Sequence, residues 1–140
     1  MTARGLLTDA GPLVALLDRG DPDHDACLSV VNEHPRQPLL TTWPCFTEAM
    51  YLLGDIGGYS RQSDLWRLYR LERLVLHDLT APEAHRAADL MAKYHDTPMD
   101  LADASLVVLA ERLEERRVFS LDTDFHVYRL ADGSAFEVIP

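Results

Sequence analysis

Between Asp103 and Glu111 the chain reads Ala-Ser-Leu-Val-Val-Leu-Ala, with no charged side chain and apolar residues on nearly every face of a helix. Such a helix has no side to give to water and must be central, covered by other elements. The cover is readable on both sides of it. Short apolar runs at Leu6–Thr8, Leu39–Thr42, Val75–Leu79, Arg117–Leu121 and Phe136–Ile139 have the length and content of strands. Between them lie helical segments: one opened by Gly11-Pro12 through Leu17, one from His24 to Glu33, one from Pro44 to the glycines at 54, 57 and 58, and one from Arg61 to Arg73. Thr80-Ala81-Pro82-Glu83 has the form of a capping box and opens a helix through Met91. Strands alternating with helices predict an α/β fold, a mostly parallel central sheet of four to five strands flanked by helices.

At 140 residues, with 47% hydrophobic and 26% charged residues, the expected organisation is one domain over 1–140. No apolar run approaches the length needed to span a bilayer, and Asp9 and Pro12 interrupt the only stretch placed like a signal peptide. Cys27 and Cys45 are isolated, so neither a zinc site nor a disulfide framework is suggested, and a cytoplasmic, reduced protein is expected. A formal charge of −10 argues against a nonspecific nucleic-acid coat. It leaves room for a nucleic-acid enzyme whose acids are concentrated at a cation site.

In open α/β sheets ligands bind at the carboxyl ends of the strands, and four elements carry acids there. Asp9 ends the first strand, Glu48 lies near the start of the helix after the second, and Asp103 sits in the first turn of the apolar helix. Asp122 and Asp124, in Ser120-Leu121-Asp122-Thr123-Asp124-Phe125, end the strand that follows it. Two like charges about 5 Å apart repel by roughly 3 kcal/mol at an effective dielectric near 20, so converging carboxylates imply either protonation or a bound cation. Oxygen donors without a histidine or thiolate cluster suit Mg²⁺ or Mn²⁺, one ion or two. Each acid also has a structural reading: Asp9 and Asp100 as helix caps, Glu48 as a solvated helix residue, Asp124 as a turn acid. None of the six histidines is assigned a catalytic role.

The ordered set of segments resembles the PIN domain, the nuclease module of VapC-type toxins. The carriers are Leu6-Leu7-Thr8-Asp9, Thr47-Glu48-Ala49, Asp103-Ala104-Ser105-Leu106-Val107-Val108-Leu109-Ala110 and Ser120 to Phe125, which together span the chain. The resemblance implies a Rossmann-like PIN fold and an Mg²⁺- or Mn²⁺-dependent endoribonuclease. It implies Asp9, Glu48, Asp103 and Asp122 as catalytic, metal-holding acids, with Asp124 and Asp100 auxiliary and Ser120 at a position where the family favours a small hydroxyl. It further implies an RNA substrate, a small antitoxin partner covering the acidic groove, and a homodimer, with no membrane role. The chain departs from the pattern after Asp9, where Ala-Gly-Pro replaces a frequent serine or threonine. Arg61, Arg67, Arg70 and Arg73 recur along one expected helix and are candidate phosphate contacts.

Two other classes compete. A PIN-like fold retained only for binding RNA or protein would keep the acids as structure. An aspartate-based phosphatase would use Asp122 as nucleophile, but that motif normally starts its domain, and the only lysine here, Lys93, lies upstream of it.

Overall fold

The computed structural model describes residues 5–140. Its elements run β1 (Leu6–Leu7), α1 (Ala10–Leu17), α2 (His24–Glu33), β2 (Leu39–Thr42), α3 (Trp43–Gly57), α4 (Tyr59–Arg70), β3 (Leu74–His77), α5 (Ala81–Lys93), α6 (Leu101–Leu113), β4 (Arg117–Phe119) and β5 (Glu137–Ile139). A short 3-10 turn, Thr123–His126, follows β4.

Every strand pair is parallel. β2 lies between β1 and β3, with Leu6 opposite Leu39 and Leu40 opposite Val75. β4 pairs with β5. A single bridge, Thr8 to Phe119, joins the two halves, with the Asp9 amide donating to the Phe119 carbonyl at 2.9 Å. The spatial order is therefore β3-β2-β1-β4-β5, and the order reverses between β1 and β4. That reversal opens a crevice at the carboxyl ends of the two central strands.

Successive strand residues go to opposite faces, as the pleat requires. Leu7, Leu40, Val75 and Val118 face one apolar layer, with the buried side of α6, Ala87 and Leu90 of α5, Phe125, Tyr128 and Phe136. Leu6, Leu39, Leu74 and Phe119 face the other, with α1, α2, α3 and Leu65 of α4. α6 is buried without a break from Ala102 to Ala110. Glu111, the first residue to emerge, takes a bidentate pair from Arg86 at 3.0–3.1 Å.

Helix ends fall where capping chemistry puts them. Thr80 and Glu83 close a reciprocal capping box on α5. Asp100 and Asp103 do the same on α6, a box that the sequence carried with aspartate in the place of glutamate. α3 stops at Gly58, whose φ of +65° suits a residue without Cβ. The helix expected to run through Arg73 ends at Arg70. Glu72 turns the chain at φ +58°, and the Arg73 carbonyl accepts from Leu39 at the start of β2. Arg73 is thus off the helix, at the end of the sheet away from the strand-terminal acids. No helix among the described residues is long and apolar enough to cross a membrane.

Candidate metal centre

Asp9, Asp103 and Asp122 each bring a carboxylate oxygen within 4.8 Å of the others, although 94 residues of sequence separate the first two. Each arrives by a different local rule. Asp9 follows β1 and caps α1, its Oδ1 accepting from the Ala10 amide at 2.8 Å. Asp103 is the third residue of α6; its amide donates to Asp100 Oδ1 at 2.8 Å, and its Oδ2 accepts from the Asp100 amide at 3.4 Å. Asp122 caps the 3-10 turn, its Oδ1 accepting from the Asp124 amide at 2.9 Å. The capping roles and the shared crevice are compatible, since one carboxylate has two oxygens and several lone pairs.

Ser120 ties two of the three together. Its Oγ donates to Asp9 Oδ2 at 2.9 Å and accepts from the Asp122 amide at 3.0 Å. Tyr128, fully buried, donates its hydroxyl to Asp103 Oδ2 at 3.1 Å. Below, Thr42 and Ser105 share a 2.6 Å hydrogen bond; because Ser105 Oγ donates to the Ala102 carbonyl, Thr42 is the donor to it. Thr42 Oγ1 also accepts from the Cys45 amide, so one hydroxyl pair fastens the first turn of α3 to the first turn of α6.

Electrostatics records the crowding. Burial, then the charges of Asp100 and Asp9, push the Asp103 carboxyl up to about 8. Burial also raises Asp9, against hydrogen bonds from Ala10 and Ser120 that lower it. Glu48, half-buried on α3, is raised by desolvation and by Asp100, Asp9 and Asp122. Among the described residues no cationic side chain figures in these shifts: their causes are burial, other acids and neutral donors.

Among the residues singled out from sequence, Asp9, Asp103 and Asp122 converge. Glu48 and Asp100 stand beside them within electrostatic reach, lining a common groove. Asp124 lies one turn further on, its amide engaged with Asp122. Of the arginines, Arg61 donates to the Leu17 carbonyl at 3.2 Å and pairs with Asp64, Arg67 and Arg70 lie in the last turn of α4, and Arg73 lines a different cavity with Leu16, Val31 and Pro38. Lys93 rests over the Tyr94 ring. Tyr128 was not among the sequence candidates. Its only signal was a second aromatic three residues after Phe125, and both rings pack edge-on within this layer.

Three neighbouring oxygens, all from carboxylates and held by neutral donors, make a donor set for a hard divalent cation. Cys45 lies beneath with its Sγ 3.4 Å from the Ala102 carbonyl, and burial followed by the Asp9 charge pushes its thiol up to about 12, so it offers neither a thiolate ligand nor a nucleophile.

The family model described as "PIN domain" matches residues 6–130. Ribonuclease VapC26 of Mycobacterium tuberculosis is 30% identical over 136 residues, covering 96% of this chain and 100% of that protein. Among solved structures, VapC20 of Mycobacterium tuberculosis, a Sarcin-Ricin loop cleaving toxin, superposes with a TM-score of 0.79 at 18% identity, over 97% of this chain and 100% of that one. VapBC2 of Rickettsia felis, bound to a DNA fragment from its promoter, superposes with a TM-score of 0.68 at 11% identity, over 96% and 98% of the two chains. Both likenesses are of fold.

Proposed function

The chain belongs to the PIN domain family, and from that premise and the carboxylate geometry we propose that it is a divalent-metal-dependent endoribonuclease, the toxin of a VapBC-type toxin–antitoxin pair. The carrying observation is the convergence of Asp9, Asp103 and Asp122, whose carboxylate oxygens lie within 4.8 Å of one another.

Asp9, Asp103 and Asp122 hold the metal, and Mg²⁺ or Mn²⁺, one ion or two, suits their oxygens. Bound there, the ion supplies activation of water and neutralisation of charge on a phosphodiester. Glu48, beside the trio and raised by its surroundings, accepts the proton of the attacking water. Ser120 and Tyr128 are positioning residues that orient Asp9 and Asp103 through the bonds described above. Asp100 sets the first turn of α6 and adds negative charge at the rim, and Asp124 anchors the turn that carries Asp122. A cytoplasmic location, where RNA is met, is part of the same proposal.

Two partners accompany this reading. An antitoxin fits as the protein that covers the acidic groove, in line with the VapBC assembly among the structural relatives. A homodimer is supported by an apolar patch where Leu52 and Ile56, one turn apart on α3, and Tyr59, the first residue of α4, are 39%, 49% and 75% exposed.

The test is cleavage of single-stranded RNA by the purified protein with Mg²⁺ or Mn²⁺, and its loss in EDTA. Asp9→Asn and Asp103→Asn are expected to abolish cleavage while far-UV circular dichroism is kept. Undiminished cleavage by both variants overturns the assignment.

A further inference from the structure

An open groove of about 560 Å³ runs beside the carboxylates, lined by Trp43, Pro44, Thr47, Glu48, Asp100, Leu101 and Ala102. Its two apolar walls are the first residues of two helices. Trp43 opens α3 directly after its cap Thr42, and Leu101 opens α6 directly after its cap Asp100. Both are open to solvent, 39% and 51% exposed.

The indole is exposed but not loose. Phe46 meets it edge-on with ring centroids 5.6 Å apart, and Tyr69 lies against it at 6.3 Å. Phe46 and Tyr69 are in turn packed on Trp66. A ring fixed from behind presents a flat apolar face whose ordering cost has already been met on folding.

The same groove lacks what usually grips nucleic acid. Among the described residues its charged ones are Glu48 and Asp100, with no arginine or lysine in the lining, and the whole chain carries −10. Among the described residues, basic side chains cannot supply the affinity in this groove. Stacking can, because every base has a π-face and stacking is indifferent to the charge around it.

Resting on the nuclease reading above, we propose that Trp43 is a substrate-binding residue that stacks on an unpaired nucleobase next to the scissile phosphate, with Leu101 closing the slot from α6. A base held in a duplex cannot enter a slot between two helix termini.

The test compares Trp43→Ala, Trp43→Leu and Trp43→Phe. On a mixed-sequence single-stranded RNA that the parent cleaves, Trp43→Ala and Trp43→Leu are expected to raise KM about tenfold with kcat changed little, and Trp43→Phe to restore most of the loss. Leucine keeps apolar packing on Phe46 but has no π-face, so equal KM for the Leu and Phe variants overturns the proposal.

A second readout does not depend on cleavage. The chain has two tryptophans, so Trp66→Phe leaves Trp43 as the sole indole. With Ca²⁺ present, an oligoribonucleotide is expected to quench its fluorescence, and an abasic oligomer of equal length is expected not to. Equal quenching by both, or none by either, overturns stacking even if RNA cleavage is intact. Base-dependent quenching in a protein that cleaves nothing would preserve the stacking site and sink the nuclease reading instead.

Discussion

Ser120 Oγ donates to Asp9 Oδ2 at 2.9 Å across 111 residues of sequence, and through its second interaction with the Asp122 amide it fixes two acids from separate strand ends in one register. Hydrogen bonds to a charged group are worth about 1.5–3 kcal/mol. Ser120→Ala removes a donor from a buried carboxylate and adds nothing in its place. We expect metal affinity at neutral pH to fall about tenfold and cleavage to fall with it, while the circular dichroism spectrum is unchanged. Mn²⁺ titration of the folded variant checks this; parent-like affinity contradicts it.

The metal-free protein is expected to lose stability as pH rises. The Asp103 carboxyl has an ordinary value of 3.8 and is pushed up to about 8 in the fold, so between those values the folded state binds more protons than the unfolded one. Stability that is full below about pH 4 therefore declines towards pH 8. Asp103→Asn removes that term and keeps an acceptor for Tyr128. Its melting temperature in EDTA at pH 8 is expected to exceed the parent's by roughly 3 °C, the shift that about 1 kcal/mol produces in a chain of this size. A clear drop would mean that the charge of Asp103 serves the helix cap more than it repels its neighbours.

Tyr128 lowers the Asp103 carboxyl by donating to it, against burial and against Asp100. Tyr128→Phe deletes that donor from the buried pair, so the acidic limb of the pH–cleavage profile is expected to move to higher pH. Packing against Phe125 and Tyr94 is kept, since the ring remains. A profile that superimposes on the parent's would show that the hydroxyl does not act on Asp103.

Thr42→Val cuts the link between α3 and α6 and takes the side-chain cap from the Cys45 amide. Loss of such a cap costs about 1 kcal/mol. The expected result is a modest fall in melting temperature and a larger fall in kcat, because Glu48 on α3 is no longer held in register with Asp103 on α6. Equal, small effects on both would make Thr42 a cap only.

The sequence carried the fold through its hydrophobic pattern. The run from Ala104 to Ala110 demanded a central helix, and the paired residues Leu6-Leu7 and Leu39-Leu40 supplied both faces of a parallel sheet. Asp9, Asp103 and Asp122 were legible because each follows a strand or stands in a first helical turn, positions that topology alone brings to one edge. Arg73 was misplaced because the turn at Glu72 needs a left-handed backbone that its side chain does not advertise. Tyr128 was invisible for a different reason. It lies in a segment of turns after Asp122, where no strand or helix period relates one residue to the next, and only tertiary packing brings its hydroxyl to Asp103.

The central claim is that Asp9, Asp103 and Asp122 form one cation site. Isothermal titration of the metal-free protein with Mn²⁺ at pH 7, in two buffers of different ionisation enthalpy, tests it most directly. The account predicts saturable binding of one or two ions with proton release, because Asp103 is raised to about 8 and must give up its proton to become a ligand. It also predicts that binding is lost in Asp103→Asn and in Asp9→Asn. Mn²⁺ affinity unchanged in both variants, or no binding by the parent, would contradict it.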